Sequence, residues 1–195
     1  MFHTEFSSML KYSDLFENEV LNYLGDYLDF ELSNLDKDTD WIKLTPSYHT
    51  EVIAGEGSGG FYVAYGEGET ENKPILFISS EGQAGKLANN LSEFMAMIIE
   101  IPYWFDLLKF SGGGQLSEMR KTALFMVSEF NEDYPDYNET KVILKSKLAL
   151  PNISDPIGLL HSCMHNSDCT VLASDGWEYE SLFNTFVSSD NNAWK

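Results

Sequence analysis

Basic residues are scarce in this chain. Lys+Arg number 12 against 31 Asp+Glu in 195 residues, a formal net charge of −19. A surface of that sign repels phosphate, which excludes nucleic acid and anionic membrane as default partners. Cysteine is scarce as well: two residues, Cys163 and Cys169, where a secreted disulfide scaffold would carry more in a shorter chain. The start, Met1-Phe2-His3-Thr4-Glu5-Phe6, has neither the basic region nor the apolar run of a signal peptide. A reduced, cytoplasmic protein is expected, with the sequence as its whole mature chain. No stretch is apolar for long enough to span a membrane. The most apolar window, residues 91–110, is interrupted by Glu93, Glu100, Pro102, Asp106 and Lys109, whereas a span needs ~20 apolar residues in a row.

Apolar residues make up 43% and aromatics 14%, which excludes a disordered acidic tail. The length fits a single domain over residues 1–195 with a C-terminal extension. Ser111-Gly112-Gly113-Gly114 is the best internal linker, and nothing in the sequence sets an oligomeric state.

Residues 4–30 read as helix on Phe6, Met9, Leu10, Phe16, Val20, Leu21, Leu24 and Leu28, with a capping box at Asp14 and Glu17. Residues 33–47 read as a loop. Residues 51–54, 61–65 and 74–79 read as strands of an antiparallel meander, the last apolar without a break and therefore buried on both faces. A helix is predicted from about residue 86 to 101 on Leu87, Leu91, Phe94, Met95, Ile98 and Ile99. A short aromatic helix over 103–110 and a longer one over 116–130 follow. Residues 131–140 read as an acidic, tyrosine-bearing loop and 142–144 as a strand. A helix opens at Asp155-Pro156, an N-cap and N1 pair. A strand over 170–172 and a short helix over 181–187 complete the chain. The fold class is α+β: an antiparallel or mixed sheet with helices packed against it, and an extra helical region at the C-terminus.

Gly55, Gly57 and Gly60 match G-x-G-x-x-G. A dinucleotide site needs a helix after those glycines, but the β-formers Phe61, Tyr62, Val63, Ala64 and Tyr65 follow, so the stretch reads as a turn. His161, Cys163, His165 and Cys169 are zinc-ligand types within nine residues, but they lack a C-x-x-C pair. On a helix His161 and His165 would share a face that excludes Cys163. No nucleophile elbow is present, and no cofactor is implied. Acid clusters are the broader signal: ten acids and two lysines over residues 1–40, and five acids with no base between Lys121 and Lys141. They form either a solvated surface or a docking face for a basic protein.

Residues 49–101 resemble the SUKH superfamily. Gly57-Ser58-Gly59-Gly60 holds the place of the family's glycine turn. Glu81-Gly82 holds that of a later turn, and Leu91-Ser92-Glu93-Phe94 that of its helix pattern. The resemblance implies an α+β domain and, in many bacterial members, an immunity protein that neutralises a toxin domain, often a nuclease. On that reading the chain is non-enzymatic and its partner is a basic toxin domain. The expected contacts are Glu56, Glu67, Glu69, Glu81, Asp133, Tyr134, Asp136 and Tyr137. The alternatives are a scaffold or regulatory binding module, and a small metal-binding protein using His161, Cys163, His165 and Cys169.

Overall fold

The computed structural model describes residues 18–32 and 42–195. The expectations over residues 1–17, including the capping box at Asp14, lie outside them. So does the loop expected over 33–47 as far as residue 41; of its remainder, residues 42–45 are corrected to a strand, whose pairing partner lies far along the chain. Helix α1 is Asn18–Leu28. Strands follow as β1 (Ile42–Thr45), β2 (Thr50–Gly55), β3 (Phe61–Tyr65), β4 (Ile75–Ile78) and β5 (Gln83–Ala88). Helices come next: α2 (Leu91–Glu100), α3 (Trp104–Lys109), α4 (Leu116–Asp133), α5 (Tyr137–Lys147) and α6 (Pro156–His165). Strands β6 (Thr170–Ala173) and β7 (Glu180–Ser181) come last, ahead of two 3-10 turns.

The main sheet has the order β2-β3-β4-β5-β7, with its first four strands antiparallel and β7 parallel to β5. A separate two-stranded ribbon pairs β1 with β6. Alternation along the strands sends each side chain to one of two cores. Tyr62, Ala64, Ile75 and Phe77 face the helices. Val63, Tyr65, Leu76 and Ile78 face the ribbon, where Ile42, Leu44 and Val171 cover them. The apolar run in β4 is therefore buried on both faces, as its composition predicts, and the fold is α+β.

Helix α2 is the centre of the helical layer. Leu91, Phe94, Met95, Met97, Ile98 and Ile99 have no exposure at all, while its polar residues Ser92, Glu93 and Glu100 are half-buried. It begins later than its periodicity predicts, because residues 86–88 complete β5. Leu87 suits either element, and Ala88 pairs with Ile75. Asn90 then caps the helix by accepting the Glu93 amide at 2.9 Å. The loop expected over 131–140 and the strand over 142–144 are corrected to the end of α4 and helix α5. The short helix over 181–187 is corrected to β7 and irregular chain. Residues 111–114 are a pinned turn between α3 and α4: Ser111 is fully buried, Gly112 donates to the Phe186 carbonyl and Gly113 to that of Asn184, both at 2.8 Å.

Glu100 ties α2 to α5. Lys145 reaches it at 2.6 Å, and Lys141 pairs with it from the turn before. Partial burial pushes the Glu100 carboxyl up, but the two ammonium groups outweigh that and hold it below its ordinary range. A carboxyl depressed in the fold contributes stability above its unfolded-state value and loses it as pH falls through the folded one. Glu100→Gln is therefore expected to flatten the loss of urea stability on acidification. An unchanged pH profile in the variant would contradict this pairing.

Candidate functional site

The glycine-rich segment is a tight turn joining β2 to β3, with strands on both sides. Its amides are already taken by carboxylates of this chain. Gly57 donates to Asp29 Oδ1 at 2.8 Å. Ser58 donates from its amide at 2.6 Å and from its hydroxyl at 2.5 Å to Glu56, and Gly60 donates to Glu56 at 2.6 Å. A nest of amides that would hold a phosphate is thus filled internally by acids, so the surface it leaves is anionic. Only glycine fits at position 60, where a Cβ would lie 2.7 Å from both Glu56 Oε1 and the Phe77 ring.

Asp29 and Glu56 are close enough to act on each other. Partial burial pushes the Glu56 carboxyl up, but hydrogen bonds from Ser58, Gly60 and Asp29 outweigh it and hold it low. Asp29 goes the other way: burial raises its carboxyl, the Gly57 amide opposes, and the Glu56 charge raises it further. Glu56 is the charged member of the pair and Asp29 the one that binds a proton more readily. Among the described residues no lysine or arginine pairs with either.

Behind these acids lies a cleft of about 280 Å³. Its walls are aromatic: Tyr62 and Phe77 from the sheet, Trp104 and Phe105 from α3, and Tyr27 and Tyr103 nearer the mouth. The rings form a connected wall, with centroids 5.0 Å apart for Tyr62–Phe77, 5.2 Å for Phe77–Trp104 and 5.5 Å for Trp104–Phe105. Asp106 stands on the rim. Two further depressions adjoin it. One shares Ser58 and Phe105 and contains Glu81 and Lys109. The other shares Tyr103 and Asp106 and contains Glu129 and Asp133. Together they make an acidic, aromatic track along one end of the sheet and over α3.

The strand register shows which expected contacts lie on this track. Phe61 pairs with Ile78, so the β2–β3 and β4–β5 turns are at the same end. Glu56 and Glu81 are therefore near each other. Glu67 and Glu69, exposed in the β3–β4 turn, are at the opposite end of the sheet. Asp133 lines the track, and Tyr134 packs on Tyr27 at 5.4 Å; Asp136 is exposed in the short α4–α5 connection. Tyr137 is not a surface group: it is 3% exposed and donates from its hydroxyl to the Ile99 carbonyl at 2.8 Å. It fixes α5 to α2, and a partner does not reach it. Sequence reasoning missed Asp29, Trp104, Phe105 and Asp106 as members of one site. The pairing of Glu31 with Gly55 that brings Asp29 to the turn is long-range and leaves no local signal.

The histidine–cysteine stretch does not converge. His161 and His165 stack at 4.3 Å on one face of α6, and His161 lies 3.0 Å from the Gly114 carbonyl. Cys163 is buried on another face, and Cys169 lies beyond the helix. Burial pushes both thiols up, so neither is an activated thiolate. Among the described residues no group of three or more His, Cys, Asp or Glu could hold a metal ion.

Comparison with known families, curated proteins and solved structures finds no match to this chain. Among the described residues no helix is long and apolar enough to cross a membrane.

Asp29→Asn gives a direct readout of the site. Asn accepts the Gly57 amide equally well and tolerates the left-handed backbone there, φ 49°. An acid raised in the fold costs stability increasingly as pH rises through its folded value. The variant is expected to gain a few tenths to about 1 kcal/mol at neutral pH, and less in acid. Loss of stability at neutral pH would show that Asp29 serves the fold instead.

Proposed function

We propose that this chain is a non-enzymatic, cytoplasmic protein-binding module of the immunity kind, which neutralises a basic toxin domain. The observation that carries the reading is the track around the glycine turn. Three adjoining depressions there present Asp29, Glu56, Glu81, Asp106, Glu129 and Asp133 beside the exposed Phe105 ring. Acids steer a basic partner in and set the register, while aromatic rings contribute buried area. A nuclease is the partner whose chemistry fits best, since its phosphate-binding face is basic and an anionic surface competes for it. The resemblance of residues 49–101 to the SUKH superfamily supports the same reading, because the shared glycine turn is the part that builds the track.

The test is affinity capture from the host under low and high salt, followed by an activity assay of what is captured. A basic protein that elutes as salt rises, and whose toxicity or nuclease activity falls when the chain is added back, is the expected result. Capture of neutral or acidic proteins alone, held independently of salt, would overturn the proposal.

A further inference from the structure

Two independent features of the cleft point to the same ligand chemistry. The first is its mouth, where Asp29 and Glu56 both line the cleft, fixed by the Gly57, Ser58 and Gly60 amides of one turn, and no described cation pairs with either. The second is its wall, where the exposed Phe105 packs edge-on against Phe77 and Trp104, which are buried behind it. Aromatic faces attract cations within ~6 Å of the ring centre, and a planar guanidinium also stacks on them. Size narrows the choice further. At about 280 Å³, the cleft falls just short of the roughly 300–1,000 Å³ typical of small-molecule sites. It opens into the two neighbouring depressions and is not a closed chamber. Phe105, 42% exposed at the junction, offers an apolar ledge to whatever carries the ligand.

We propose that the cleft is a receptor for one arginine side chain of a protein partner, with its guanidinium held by Asp29 and Glu56 and stacked on the exposed Phe105 ring. This rests on the protein-binding reading above and names the group that the module recognises. Arginine fits better than lysine because its flat fork can address two adjacent carboxylates at once and still lie on a ring.

The experiment titrates the purified full chain with N-acetyl-arginine amide, using N-acetyl-citrulline amide as the neutral isostere. NMR follows the Trp104 indole N–H and the Gly57 and Gly60 amides. The arginine probe is expected to shift all three saturably. The citrulline probe, and arginine on the Asp29→Asn/Glu56→Gln double variant, are expected to bind about ten-fold more weakly, the effect of losing a charge-assisted hydrogen bond. Asp29→Asn keeps the acceptor of the Gly57 amide, Glu56→Gln keeps one of the two oxygens that Ser58 and Gly60 use, and unshifted amide signals from strands away from the turn confirm the fold. Equal response to citrulline, an undiminished affinity in the double variant, or no response to arginine would overturn the inference. The two claims fail separately. If a captured basic partner binds the double variant as tightly as the wild type, the arginine receptor is wrong and the module reading stands. If the arginine probe binds as expected but no basic partner is captured, the guanidinium site in the cleft stands and the module reading fails.

Discussion

Phe94→Ala is expected to lower stability by about 3–5 kcal/mol, a large share of the roughly 5–15 kcal/mol that holds a domain of this kind together. Phe94 has no exposure. Its ring lies 5.7 Å from Phe30 and 5.2 Å from Tyr62, so it joins α2 to the sheet and to the segment that follows α1. Removing it leaves a cavity where those three elements meet, and a core between a twisted sheet and a helix cannot close over it fully. Phe94→Leu keeps most of the volume and is expected to cost only about 1 kcal/mol. Urea midpoints of the two variants separate these values. A loss under about 1 kcal/mol for the alanine variant would mean that α2 is not the centre of the core.

The second large effect is on association. Reversing Glu56, Glu81 and Asp106 together to lysine is expected to slow binding of the basic partner by about a hundred-fold at low ionic strength, with the difference shrinking as salt is added. Reversing Glu67, Glu69 and Glu71 changes the net charge equally but acts at the far end of the sheet. A five-residue strand such as β3 spans about 16 Å, twice the Debye length of about 8 Å at physiological salt. That variant is expected to bind nearly as fast as the wild type. Stopped-flow association rates distinguish a steering track from a general effect of charge. Equal slowing by both variants would leave only the general effect.

Much of the fold is legible from local pattern. The meander is there because Phe61 to Tyr65 are strand formers between glycine turns, and β4 reads as doubly buried because its apolar run has no alternation. Asp155 caps α6 through the Gly158 amide at 3.0 Å, as the Asp-Pro pair predicts. The misread elements have physical reasons. Leu87 continues a helical stripe, yet pairing with β4 claims its segment for β5, and only Asn90 marks the true helix start. The residues of α5 include β-branched Val142 and Ile143, but its position is decided by Leu144 and Tyr137 packing under α2. The acidic surface is legible as charge; the site is not. Glu67 and Glu69 look equivalent to Glu56 and Glu81 in sequence, and only the strand register sends the two pairs to opposite ends. Asp29 joins Glu56 across 27 positions, and Trp104 reads as an ordinary core aromatic until Tyr62 and Phe77 are placed beside it.

The most direct test of the account puts a photo-crosslinking amino acid at position 105, on the ledge of the cleft, and a second at position 67, on the far turn. Both chains are irradiated in host extract at low and at high salt. A covalent adduct is expected from position 105 to a basic domain, lost at high salt and lost when Asp29 and Glu56 are neutralised, with none from position 67. An adduct from position 67 alone, or one from position 105 that persists through high salt and through neutralisation of the two acids, would contradict it.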